Sequence, residues 1–161
     1  MNLFDADTIK AIKEYFSARR ETIAVAESVT SGLVQAAFSS APGADEFYQG
    51  GITTYNLQQK IRHLHVDPID AVACNCVSER VAMEMAKNVC TLFSSHWGMG
   101  ITGYATPVPE SNNQLYAYYC FTKGDSIQRS GLLLPNGPKD PAQVQLWYVN
   151  TLLHLFREGL Q

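Results

Sequence analysis

The apolar positions change period several times along the chain, and each change marks an element. Ile9, Ile12 and Phe16 recur at spacings of three and four behind Asp5 and Asp7, which predicts an amphipathic, acid-capped helix from about residue 7 to 19. Thr22-Ile23-Ala24-Val25-Ala26 is a short apolar run, as expected of a strand covered on both faces, and it stops at Glu27-Ser28-Val29-Thr30-Ser31-Gly32. Leu33 to Ser39 reads as a helix broken by Ala41-Pro42-Gly43. Gly50 to Tyr55 reads as a second strand, after which Asn56 caps a short helix carrying Gln58, Lys60 and Ile61. Asp67-Pro68 reads as the end of that region. Ser78-Glu79 opens a longer helix with Val81, Ala82, Met85, Val89 and Leu92 on its apolar face.

The last third changes character. His96 to Ile101 leads into a loop rich in Gly, Pro and Ser from Thr102 to about Asn113. Two strongly β-prone runs, Leu115 to Thr122 and Ser126 to Leu134, flank Lys123-Gly124-Asp125 and predict an antiparallel hairpin with a three-residue turn. Asp140-Pro141 supplies an N-cap followed by proline at the first helical position, opening a helix with Val144, Trp147, Leu152, Leu153 and Phe156 inward. Helices alternating with strands, then a hairpin and a closing helix, predict an α/β fold. The expected architecture is a three-layer α/β/α sandwich around a mixed, mostly parallel sheet, with residues 1–161 expected to form one domain.

Composition narrows the function. With 46% hydrophobic and 17% charged residues, the chain has no run near the ~18 apolar residues of a membrane span, and its first residues do not resemble a secretory signal. No membrane partner is expected, and a cytoplasmic location is. The net charge is −3 and the basic residues are scattered, only Arg19 and Arg20 being adjacent, so no nucleic-acid partner is expected. Cys74, Cys76, Cys90 and Cys120 read as buried reduced thiols, since Cys74-Asn75-Cys76 is too closely spaced for a zinc knuckle. No His, Cys or carboxylate cluster has ligand spacing, so neither a metal nor another cofactor is expected. A homo-oligomer is compatible with the sequence but not required by it.

Crossovers in an open sheet bring the carboxyl ends of parallel strands to one edge, which gathers Ser28, then Tyr55 with Lys60, then Thr102 and Gly103. A serine at the start of a helix lies beside free N–H groups, here those of Thr30, Ser31 and Gly32, which could hold an oxyanion. Its hydroxyl needs a base, and a lysine desolvated enough to lose its proton can supply one; Lys60 is available. The same residues also fit a plainer reading: Ser28 to Gly32 as a helix cap, Lys60 solvated, and Tyr55 a packed aromatic with a wet hydroxyl. His63, His65, His96 and His154 belong to no recognisable triad or metal motif.

Ala26-Glu27-Ser28-Val29-Thr30-Ser31-Gly32-Leu33 resembles the Ala-Glu-Ser-Cys-Thr-Gly-Gly-Leu motif of the CinA C-terminal family, also known as the nicotinamide-nucleotide amidase family. Further segments match in order. Gly51 to Asn56 with Lys60 resembles the family's Gly-x-x-Thr-Tyr-x-x-x-x-x-Lys segment. Val77-Ser78-Glu79 with Ala82, Glu84, Met85 and Ala86 resembles its Val-Ser-Glu helix, and Ile101 to Pro107 resembles its Ile-Thr-Gly-Ile-Ala-Gly-Pro loop. The likeness spans roughly residues 7 to 158. It implies deamidation of a small-molecule nucleotide, nicotinamide mononucleotide, to nicotinate mononucleotide and ammonia without a metal. In that scheme Ser28 is the nucleophile, Lys60 the base and Tyr55 a hydroxyl assisting proton transfer. Thr102 is the hydroxyl residue contacting the reacting group, and Lys139 stands where an arginine would meet the substrate phosphate.

The chain also departs from the pattern near these residues. Val29 replaces the motif cysteine, Ser31 the first of two glycines, Thr106 the glycine before proline, and Lys139 the arginine of Gly-Asp-Arg. A lysine binds phosphate as a point charge without the planar fork. Two functions fit: an amidase, and a catalytically impaired relative that keeps the fold as a nucleotide-binding or interaction module.

Overall fold

A computed structural model describes every residue except Met1, Pro138, Lys139 and Gln161. The Asp5 carboxylate accepts from the amides of Asp7 and Thr8 and starts helix α1 (Ala6–Arg19), which buries Ile9, Ile12 and Phe16 as the spacing predicts. Strand β1 (Ile23–Glu27) is buried along its whole length, and α2 (Leu33–Ser39) follows. β2 (Tyr48–Thr53), α3 (Leu57–Leu64), α4 (Pro68–Ala73), α5 (Glu79–Leu92) and β3 (Trp97–Gly103) make up the middle of the chain. β4 (Ala117–Lys123), β5 (Ser126–Leu133) and α6 (Pro141–Gly159) complete it.

The five strands lie in the order β2-β1-β3-β4-β5. β1 pairs in parallel with β2 and β3, whereas β3–β4 and β4–β5 are antiparallel, so the sheet is mixed with equal numbers of each pairing. Ile23 and Val25 of β1, with Trp97, Met99 and Ile101 of β3, join α1, α2 and α6 in the main core. Ala24 and Ala26 point the other way and pack with Leu64, Val81, Met85 and Val89. Alternating residues of one strand thus serve two cores, the geometry of a three-layer sandwich.

β3 carries glycines on the α5 side because that helix lies against its backbone. A Cβ on Gly98 would stand 1.9 Å from the Ala86 carbonyl oxygen, and one on Gly100 2.4 Å from that of Ala82.

Several expectations are corrected. Asp67-Pro68 does not end a region; Asp67 accepts from the amides of Ile69 and Asp70 and opens α4, with Pro68 in the first turn. β2 runs two residues earlier than expected at both ends. Thr102 and Gly103 close β3 rather than open a loop, because β4 pairs with them through Tyr118 and Ala117. Lys123 pairs with Ser126, leaving a two-residue turn at Gly124 and Asp125. Leu92 is exposed at the last turn of α5, and Tyr148 rather than Trp147 fills the core beside Val149. Cys90 and Cys120 are buried, but Cys74 and Cys76 are only half-buried. Among the described residues no helix is long and apolar enough to cross a membrane.

Candidate active site

Parallel pairing of β2, β1 and β3 brings their carboxyl ends to one edge, with β1 central and its neighbours on opposite sides. That edge is where an α/β sheet opens a crevice. A cleft of about 480 Å³ lies there, within the range of small-molecule sites. Ser28, Tyr55, Lys60, Thr102 and Gly103 all line it.

Ser28 follows β1 directly and its amide donates to the Ile101 carbonyl at 3.1 Å, which prolongs the β1–β3 pairing to the serine itself. α3 begins at Asn56, whose side chain accepts from the Gln59 amide, and its first full turn carries Lys60 inward. Lys60 is 1% exposed; its Nζ donates to Ser28 Oγ at 2.8 Å and to the Thr54 carbonyl at 2.8 Å. Burial drives its pKa down to about 8, against a smaller upward pull from the negative charge of Cys76 when ionised. A lysine with few charged neighbours, buried against a serine hydroxyl, is set up to exchange a proton with it near neutrality.

The remaining expected residues divide. Thr102 is buried, and its hydroxyl donates at 2.7 Å to the Cys76 carbonyl, fixing the segment before α5. Tyr55 is 76% exposed at the cleft rim, so its phenol stands in water. Thr30, Ser31 and Gly32 do not line the cleft. The Ser31 amide donates to the Ser28 carbonyl at 3.2 Å, and the Thr30 hydroxyl goes to Glu27 at 2.5 Å. A second turn follows at once, the Leu33 amide donating to the Thr30 carbonyl at 3.0 Å, with its two central residues, Ser31 and Gly32, both left-handed at φ of 51° and 96°. Lys139 lies outside the described residues.

The sequence reading missed four supporting residues. Glu27, fully buried, accepts from Thr30 Oγ1 and from the amides of Val34 and Gln35, capping α2 from within β1. A lone carboxylate ending an apolar strand was the available signal. Gln145 of α6 donates through Nε2 to the Val29 carbonyl at 2.8 Å and lines the cleft. Asn75 and Cys76 are consecutive left-handed residues, with φ of 51° and 62°, on the cleft wall. Nothing local in the sequence marks these last three.

The CinA C-terminal domain model matches residues 5–129. The chain belongs to the CinA C-terminal family. It is 34% identical to a CinA-like protein of Trichodesmium erythraeum over 142 residues, which is 87% of this chain and 33% of that one. It is 40% identical to a CinA-like protein of Synechocystis sp. over 104 residues, 64% of this chain and 25% of that one. The chain therefore spans a quarter to a third of the length of these relatives. The fold matches a CinA superfamily protein from Enterobacter cloacae at TM-score 0.91 and 22% identity, covering 100% of this chain and 95% of that one. One from Klebsiella pneumoniae matches at TM-score 0.90 and 23% identity, covering 99% and 98%.

Two departures from the CinA motifs can now be separated physically. Ser31 occupies a left-handed position that the motif's glycine suits, at a cost of roughly 1–2 kcal/mol for a side chain there. Thr106 is not among the left-handed residues, so its backbone conformation does not require glycine. Gln145 lies on α6, beyond the part matched by the CinA model.

Proposed function

We propose that this CinA-family chain is a metal-free amidohydrolase that converts nicotinamide mononucleotide to nicotinate mononucleotide and ammonia. The observation that carries the reading is the 2.8 Å contact between Ser28 Oγ and a Lys60 amine buried to 1% exposure, with its pKa lowered to about 8. Neutral Lys60 takes the hydroxyl proton as Ser28 Oγ bonds to the amide carbon. The ammonium so formed lies beside the developing tetrahedral anion and stabilises it. Lys60 then gives that proton to the leaving nitrogen as the carbon–nitrogen bond breaks, and water cleaves the acyl ester to restore Ser28. A role for Tyr55 requires its ring to fold from the rim over bound substrate.

One observation favours the second reading, a nucleotide-binding module without turnover. The Ser31 amide, an expected oxyanion donor, is committed to the Ser28 carbonyl. Ammonia release on incubation with nicotinamide mononucleotide separates the two. The amidase reading expects turnover that Ser28→Ala and Lys60→Ala each abolish while the protein stays folded. Since nucleophile and base act as one unit, the double variant should be little worse than either single one. A fully active Ser28→Ala protein sinks the mechanism, and an inert wild type that still binds the nucleotide moves the assignment to the module.

A further inference from the structure

Tyr104 follows β3 directly and lines the same cleft as Ser28 and Lys60. It is held from four directions. Its amide donates to the Tyr116 carbonyl at 2.9 Å, and its carbonyl accepts from the buried Tyr148 hydroxyl at 2.8 Å. Its phenol oxygen accepts from Asn75 Nδ2 at 3.0 Å, and its ring meets Tyr116 edge-on, with centroids 5.3 Å apart and planes at 71°. Tyr116 in turn packs edge-on against Tyr118 at 6.0 Å.

An aromatic side chain immobilised before a ligand arrives offers contact area without an ordering cost on binding. Its face carries the negative side of a quadrupole and attracts a positively charged, planar group. Glu110 lies on the same lining and adds a negative field, opposite in sign to that of the buried Lys60 beside Ser28. The CinA motif has isoleucine where this chain has Tyr104.

We infer that Tyr104 is a specificity-determining residue whose fixed ring selects a cationic aromatic ring on the substrate over its uncharged counterpart. The inference rests on the amidase reading and names what that site recognises. A pyridinium carboxamide fits; a dihydropyridine carboxamide of the same shape, lacking the charge, fits less well.

Calorimetry on Ser28→Ala protein, which binds without turning over, tests this with nicotinamide mononucleotide and its reduced dihydropyridine form. The pyridinium form should bind about tenfold more tightly than the reduced form. Adding Tyr104→Leu should weaken pyridinium binding about tenfold and level the two affinities, while Tyr104→Phe, which keeps the ring, should preserve the preference. With Ser28 present, Tyr104→Leu should raise KM and leave kcat within about twofold. Equal affinities for the two forms, or a folded Tyr104→Leu protein with wild-type affinity and KM, overturn the inference. Ring discrimination without ammonia release would sink the amidase reading and leave this one standing; ammonia release with no effect of Tyr104→Leu would do the reverse.

Discussion

Lys60 is where stability and chemistry conflict most directly. A lysine whose folded pKa lies near 8 binds its proton less tightly in the native state than in the unfolded chain, where the value is 10.5. Between those values the unfolded state holds more protons, so this group makes stability rise with pH from about 8 to 10.5; below 8 its full penalty, about 3 kcal/mol, is present. Lys60→Met keeps the buried length without the charge. It should abolish turnover and raise stability at pH 7 by about 1–2 kcal/mol, part of the gain being offset by the Thr54 carbonyl and Ser28 hydroxyl losing their partner. Urea denaturation of both proteins at pH 7 and 10 measures this, and a Met variant less stable than the wild type at pH 7 would show that burial of the amine is not costly. In the proposed mechanism the sign is the same: Lys60 must be neutral to act as the base, so kcat/KM should climb with pH and level off above about 8. A rate that is flat from pH 6 to 9 would remove Lys60 from the role.

At the scale of elements, α2 shows how the site is held. Its N-cap, Gly32, has no side chain to offer, and the job passes to Glu27, whose two oxygens serve the amides of Val34 and Gln35 and the hydroxyl of Thr30. Glu27→Gln turns one acceptor into a donor facing an N–H or O–H group, leaving a buried polar group unsatisfied at about 1–3 kcal/mol. The expected outcome is a lower melting temperature, faster hydrogen exchange at the Val34 and Gln35 amides, and reduced kcat as the Ser28 turn loosens. Unchanged exchange at those two amides would refute the capping role. The same scale shows what sequence can convey. Asp5, Asn56, Ser78 and Asp140 were legible as caps because capping chemistry is local. Asp67-Pro68 carried the same signal as Asp140-Pro141, and α4 was missed because its six residues have too little apolar periodicity to show. Ser28 and Lys60 were legible through the strand-to-helix junctions and the motifs around them. Gln145, Asn75 and Tyr104 were not, since each acts across the fold on a partner at least 29 residues away.

For the whole molecule, the site exists because three layers are pressed closely enough to fix the carboxyl edge of the sheet, and β3 carries that requirement in its alternation. Trp97, Met99 and Ile101 face the α1–α6 core, while Gly98 and Gly100 let α5 lie on the strand. The period of two was visible in Trp97-Gly98-Met99-Gly100-Ile101, but only the packed structure reveals that the small face means backbone contact with a helix rather than a flexible strand. One substitution type should therefore have opposite effects at different glycines. A methyl added at Gly159, in the last turn of α6, would meet nothing within 4 Å, so Gly159→Ala should be neutral or stabilising by about 0.5 kcal/mol. Gly98→Ala and Gly100→Ala each drive a methyl into a carbonyl of α5, at 1.9 and 2.4 Å, and can fit only if the helix backs away, at a cost of about 3 kcal/mol. The two should then differ in function. Gly100 adjoins Ile101, whose carbonyl holds the Ser28 amide, whereas Gly98 lies at the opposite end of the strand beside Trp97. Ammonia release per folded molecule, measured below each variant's melting temperature, should fall for Gly100→Ala and persist for Gly98→Ala. Equal losses would mean that α5 sets the site as a rigid whole; wild-type stability in both would mean that the layers are not as closely pressed as these contacts require.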